Sequence, residues 1–228
     1  MKILAIDIGG TNVKVKCSES DEARRFPSGK ELSAKQMVDG VVELTKDWSY
    51  DVLTVGFPGP IVKGKIAKEP ANLGQGWVNY DFEHGFGKPT KLINDAAMQA
   101  LGSYEGGRML FLGLGTGLGN ALIVDGVIAP MELGHLPYKK KRTFEDYVGI
   151  RGLERLGKQR WQKAVYDVVS RLKAALIADY VVLGGGNAKK LKTLPEGCRL
   201  GHNENAFLGG FRLWKEQNGQ QRPTADNQ

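Results

Sequence analysis

Asp7 closes an apolar run and is followed at once by Ile8-Gly9-Gly10-Thr11-Asn12. A carboxylate at the end of a buried strand, ahead of two glycines and a hydroxyl, can hold a hydrated metal beside backbone N–H groups. Such a turn can also cradle phosphate oxygens, or serve as an ordinary hairpin turn. Leu114-Gly115-Thr116-Gly117-Leu118-Gly119-Asn120 offers a second phosphate cradle, or a hairpin whose backbone needs positive φ. Gly184-Gly185-Gly186-Asn187 stands between an apolar run and an expected helix. The helix N-terminus would favour an anion, and the glycines could seat a flat base or act as a plain linker.

Two further segments bear acid–base and hydroxyl-binding groups. Asn94-Asp95 falls where a strand meets a helix, so Asp95 reads either as a general base for a hydroxyl proton or as a helix cap. Glu132-Leu133-Gly134-His135 sets a carboxylate near an imidazole, a pairing suited to vicinal sugar hydroxyls; His84 and His202 sit in polar loops. No three Cys and His have zinc-ligand spacing. Neither a dinucleotide-binding glycine fingerprint nor a Walker P-loop is present. Lys139-Lys140-Lys141-Arg142 reads as a solvated loop or as a contact for a polyanion.

These residues need strands and helices to hold them. Residues 3–7 and 13–17 read as a strand hairpin around the first glycine turn. Ser33 caps a helix running to about Trp48, residues 52–57 form a strand, and Lys63-Gly64-Lys65 makes a hairpin tip. A strand over 91–93 leads into a helix over 96–104. Strands over 109–113 and 120–124 flank the second glycine turn, and Asp125-Gly126 ends the pair. Trp161, Val165, Val168, Val169, Leu172 and Leu176 mark one face of a long helix. A strand over 179–183 reaches the third glycine turn, and a last helix covers 205–214. The order, hairpin then helix and strand, occurs twice with a break near Gly106-Gly107 and a cleft expected between the halves.

Composition fits this reading. The 228 residues include 32 Lys plus Arg against 25 Asp plus Glu, a formal charge of +7 that suits an anionic ligand. Thirty-one glycines are about twice the usual share of roughly 7%. Two distant cysteines, Cys17 and Cys198, argue for a reducing compartment. No apolar run spans a bilayer, and the short run after Met1 does not read as a signal peptide.

Six segments in order resemble the ROK family of sugar kinases, in the actin-like ATPase superfamily. They are Asp7-Ile8-Gly9-Gly10-Thr11, Gly56-Phe57-Pro58-Gly59, Asn94-Asp95-Ala96, Leu114 through Gly119, Glu132-Leu133-Gly134-His135 and Gly184-Gly185-Gly186. The polyphosphate/ATP glucokinase branch is the most similar. The resemblance implies an α/β, two-lobed actin-like ATPase (ribonuclease H-like) fold with a ligand cleft between the lobes. Residues 1–107 would form the small lobe, with a closing helix at 203–217 packed back on it. Residues 108–202 would form the second lobe and 218–228 a loose tail.

The resemblance also implies roles. Asp7 would lie near Mg²⁺, through water, and near the transferred phosphoryl group. Gly9, Gly10, Thr11 and Asn12 would wrap the donor phosphates with Gly115, Thr116 and Gly117, while Gly184, Gly185, Gly186 and Asn187 border a nucleotide base. Asn94 would bind the sugar and Asp95 would be the catalytic base that also touches it. Glu132, His135 and Glu145 would hold sugar hydroxyls, with Gly59 and Asn72 lining the same pocket. Many family members carry a cysteine-rich zinc loop after the Glu-x-Gly-His segment; here residues 136–143 contain no cysteine, so no zinc is expected. The first strand begins at residue 3, so no DNA-binding helix-turn-helix is expected ahead of it. The expectation is a cytoplasmic, homodimeric kinase, without nucleic-acid or membrane partners, that moves a phosphoryl group from ATP or polyphosphate to the 6-hydroxyl of a hexose, glucose foremost. The alternatives are a non-catalytic sugar sensor and a kinase for a non-sugar acceptor such as pantothenate.

Overall fold

The computed structural model describes residues 1–202 and 204–215. In chain order the elements are β1 (Ile3–Ile8), β2 (Asn12–Cys17), β3 (Ala23–Pro27), α1 (Ala34–Leu44), β4 (Val52–Phe57), β5 (Ile61–Val62), β6 (Lys65–Ile66), α2 (Phe82–Phe86), β7 (Thr90–Asn94) and α3 (Asp95–Ser103). The chain continues with β8 (Arg108–Leu114), β9 (Leu118–Val124), β10 (Val127–Pro130), α4 (Glu145–Val148), α5 (Ile150–Ala175), β11 (Tyr180–Gly184), β12 (Cys198–Leu200) and α6 (Asn205–Lys215).

Two five-stranded sheets share one plan. Their strand orders are β3-β2-β1-β4-β7 and β10-β9-β8-β11-β12. In each, three antiparallel strands joined by hairpins are followed by two strands parallel to the first. This duplicated α/β plan is the one expected. It brings the carboxyl ends of β1, β4, β7, β8 and β11 to the same cleft, where open α/β sheets leave room for ligands.

Local chemistry explains the elements. Ser33 caps α1 reciprocally with Gln36: the Gln36 N–H donates to Ser33 Oγ at 3.3 Å, and the Ser33 N–H donates to Gln36 Oε1 at 2.9 Å. The alternating β2 buries Val13 and Val15 against α1 and leaves Lys14 and Lys16 on the opposite face. β4 is buried on both faces, as its unbroken apolar run requires.

α3 lies between the sheets. Ala97, Met98 and Leu101 share a buried cluster with Met109, Phe111, Ile123 and Val182 of the second sheet. α6 crosses α3 almost backbone to backbone: a Cβ on Gly102 would fall 1.8 Å from the Asn205 carbonyl oxygen, and one on Gly209 would fall 1.8 Å from that of Met98. The Arg212 guanidinium donates to the carbonyls of Leu101 (2.7 Å) and Tyr104 (3.0 Å), closing the C-terminal end of α3. Trp214 Nε1 donates to Leu53 O at 3.2 Å, so α6 also grips the first sheet.

Some expectations change. α1 ends at Leu44 rather than near Trp48, because Thr45 turns back and donates its hydroxyl to Val41 O at 2.8 Å. The long helix begins earlier, at Ile150, with a break at Gly157 (φ 72°, ψ 159°). No helix follows the third glycine turn: a single 3₁₀ turn, Ala188–Lys190, takes its place. Of the closing segment expected over 203–217, α6 covers Asn205–Lys215. Residues 203, 216 and 217 and the tail 218–228 lie outside the described residues.

Candidate active site

Two adjoining cavities occupy the cleft. The larger, about 450 Å³, is lined by Asp7, Gly9, Gly10, Asn72, Asp95, Gly115, Thr116, Gly117, Gly185 and Gly186, together with Lys14 and Gln99. The smaller, about 210 Å³, is lined by Gly59, Asn94, Asp95, Glu132 and Glu145. Asp95 belongs to both walls, beside Pro58, Gly117 and Gly119.

The position of Asp95 follows from its neighbour. Asn94 caps α3: its Oδ1 accepts the Ala97 N–H at 3.1 Å. Its Nδ2 donates to Gly59 O at 3.1 Å, tying the start of α3 to the turn after β4. Asp95 is therefore not the cap. It stands one residue inside the helix, its Oδ1 accepting the Ala96 N–H at 2.8 Å. Burial, helped by the charges of Asp7 and Glu132, pushes its carboxyl up to about 7, against the pull of the Ala96 N–H. Burial also raises Asp7, and the Lys14 ammonium opposes that rise. A carboxyl that titrates near 7 suits a general base.

The glycine turns are partly self-satisfied. Gly9 N–H donates to Asn12 O at 3.0 Å and Gly115 N–H to Gly117 O at 3.2 Å, so these two amides close the turns rather than face a ligand. A Cβ on Gly117 would lie 2.5 Å from Glu145 Oε2, so a side chain there would push the Glu145 carboxylate aside. Glu145 is held on its other side by Arg151, 3.3 Å away.

Several expected residues line neither cavity. Thr11 is exposed, with its carbonyl accepting from Ser28 N–H at 3.0 Å. Asn12 serves the turn through its carbonyl. Gly184 packs beneath, against the Phe111 ring. Asn187 donates from Nδ2 to Gly115 O at 3.0 Å and from its N–H to Leu114 O at 2.9 Å, bracing the second glycine turn from behind. His135 points outward, its side chain 68% exposed and 3.6 Å from Glu132. Asn72 lines the larger cavity, not the smaller one where it was expected.

Lys14 and Gln99 were not singled out from the sequence. Lys14 falls on the polar face of an alternating strand, opposite Asp7. Gln99 lies four residues after Asp95, on the same helix face. Both signals were present but needed the ladder register and the helix to be read.

The segment 136–143 closes without cysteine. Pro137 bridges Thr143, Tyr138 N–H donates to Arg142 O at 2.7 Å, and the Tyr138 hydroxyl donates to Asp167. Tyr138 packs on Phe144 and Tyr147, with ring centroids 5.2 and 4.8 Å away. Lys139 is held by Asp167 at 3.1 Å and lies over the Tyr138 ring. None of residues 139–142 lines either cavity.

Among the described residues, no three His, Cys, Asp or Glu side chains gather as a metal site. Mg²⁺ does not need such a cage: it takes one or two carboxylates and fills its octahedron with waters and phosphate oxygens. Asp7, an oxygen donor on the wall of the glycine-lined cavity, fits that requirement.

Residues 3–146 match the model of the ROK family. The chain belongs to the ROK family. Among curated relatives it is similar to the polyphosphate glucokinase of Mycobacterium tuberculosis, 24% identical over 206 residues that cover 81% of this chain and 77% of that protein. Among solved structures it is similar to the inorganic polyphosphate/ATP-glucomannokinase of Arthrobacter sp. strain KM, with TM-score 0.80, 25% identity and coverage of 95% and 99% of the two chains. The fold is also that of a ROK family transcriptional regulator, a homolog of E. coli MLC protein, with TM-score 0.74 and 13% identity over 94% of this chain and 78% of that one. A ROK fold therefore does not by itself choose between catalysis and regulation; the site must. Among the described residues no helix is long and apolar enough to cross a membrane.

Proposed function

We propose that this ROK protein is a kinase that transfers a terminal phosphoryl group, from ATP or inorganic polyphosphate, to the 6-hydroxyl of a hexose, with glucose the first candidate. The observation that carries the reading is the place of Asp95, on the shared wall of a glycine-lined cavity and a smaller cavity edged by Asn94, Glu132 and Glu145. The larger cavity takes the donor phosphates and the smaller one the sugar. Asp95 accepts the hydroxyl proton as the sugar oxygen attacks in line. Asn94, Gly59, Glu132 and Glu145 orient the sugar, while Lys14 and Asp7 set the charge on the donor side.

Mg²⁺, held by Asp7 through water, would supply charge neutralisation on the donor phosphates. Residues 1–107 with the closing helix form one lobe in this reading, and residues 108–202 the other. Their approach would exclude water as a competing acceptor. A sugar sensor without turnover would bind the hexose and give no product with either donor. The test is a panel of hexoses offered with ATP and with polyphosphate, the sugar phosphate being measured directly. Product from glucose supports the reading, and no product from any pair removes it.

A further inference from the structure

The row that begins at Asp7 continues beyond the cavity. The register sets Asp7 of β1 opposite Lys14 of β2, and Lys14 opposite Arg25 of β3. Residues directly opposed in a ladder share a face, with Cβ atoms about 4.5–5.5 Å apart. Val13, Val15 and Phe26 pack into the first core on the other face. Lys14 and Arg25 therefore project together on the Asp7 side.

Lys14 lines the larger cavity, and Arg25 is exposed on β3, the edge strand. Lys16, on the same face, is engaged by Glu204 at 3.1 Å. Lys14 feels the Asp7 carboxylate across the ladder but, like Arg25, makes no close ion pair among the described residues, so both can meet an outside anion. The basic run 139–142, by contrast, lies away from both cavities, and its Lys139 is committed to Asp167.

We propose that Lys14 and Arg25 form the track by which the phosphate chain of inorganic polyphosphate leaves the donor cavity, Lys14 holding the phosphates next to the transferred group and Arg25 those beyond. The track rests on the kinase reading above. ATP ends its chain at a ribose, so it reaches Lys14 but gains little at Arg25.

The test is equilibrium binding of long-chain inorganic polyphosphate and of ATP to the full chain, without sugar and at several salt concentrations. Arg25→Gln is expected to weaken polyphosphate about threefold or more and to weaken ATP less. It should lower the slope of log affinity against log salt by about one. Lys14→Gln should weaken both ligands, and Arg25→Lys should recover most of the loss. A Lys140→Asn/Lys141→Asn variant, changed only at the tip of the basic run, should keep polyphosphate affinity and slope. The track is overturned by wild-type polyphosphate affinity in Arg25→Gln, by equal losses for both ligands, by a larger loss in the loop-tip variant, or by no polyphosphate binding to the parent. The phosphorylation assay separates the two readings. Product from ATP without polyphosphate binding removes the track alone, whereas no product from either donor removes the kinase.

Discussion

Asp95 and Asp7 share the wall of one cavity, and the charge of Asp7 is among the causes that push the Asp95 carboxyl up to about 7. The two acids come from equivalent places, the ends of parallel strands in one sheet, and only one of them also reaches the smaller cavity. That asymmetry gives them different work.

Asp95→Asn should abolish phosphorylation and leave sugar binding largely intact. An amide cannot take the proton, and a placed base contributes about 10²–10⁴-fold. Turnover of the variant, with sugar affinity measured separately, checks this; near-normal turnover would remove Asp95 from the chemistry.

The rate should fall on the acid side with an inflection near the Asp95 value of about 7, because only the carboxylate accepts a proton. Replacing Asp7 by Asn removes a neighbouring negative charge, so the Asp95 value drops and the acid limb moves to lower pH. A pH profile of kcat/KM in both proteins reads the direction. An unmoved limb would show that the two carboxyls do not interact.

Stability carries the same signature. The folded value of Asp95 lies well above its ordinary 3.8, so the protonated form is favoured by folding. The contribution is present below the unfolded value and is lost as pH rises through about 7. Asp95→Asn should therefore raise Tm relative to the parent at about pH 8, with the difference shrinking towards about pH 4. An equal Tm difference at both pH values would contradict the shift.

Asn94→Ala should cost about 1 kcal/mol of stability through the lost cap. It should also raise the KM for sugar, because the tie to Gly59 goes with the side chain. Asn94→Asp keeps the cap but lacks the N–H donor, and should recover stability without recovering the tie. Urea unfolding together with sugar kinetics distinguishes the two losses.

Chelation should leave fold and sugar binding intact, with activity restored once Mg²⁺ is returned, because Tyr138, Asp167 and Lys139 fasten the loop 136–143. Tyr138→Phe should cost about 1 kcal/mol instead. One tightly held zinc per chain, measured by metal analysis, would defeat the prediction.

Much of the fold could be read from short signals. Asp7-Ile8-Gly9-Gly10 and Leu114-Gly115-Thr116-Gly117 each sit between apolar alternations, and both became hairpin turns at the cleft. β3 was hidden because Arg24 takes an inward slot that an apolar residue would normally mark; it lies over Trp48 and binds Asp47 and Leu44 O. β12 has three residues, too few for a period. The helix expected after Gly186 stops after one 3₁₀ turn, where Leu191 turns extended (φ −65°, ψ 132°), four residues ahead of Pro195. His135 shows the limit of motif reading: the Glu-x-Gly-His spacing was plain, but the 3₁₀ turn Leu133–His135 carries the ring outward.

The crossing of α3 and α6 at Gly102 and Gly209 has a reach far beyond its size. α3 begins with Asp95 and is clamped between both sheets, so its axis is a common reference for the donor turns and the sugar ligands. A single methyl at either glycine would prise the helices apart and displace the base, the first sheet and the second sheet together. Damage at this remote, ligand-free spot would thus surface as lost catalysis in chains that still collapse. In a screen for inactive variants, substitutions at these two glycines would be mistaken for active-site lesions until their melting curves were taken.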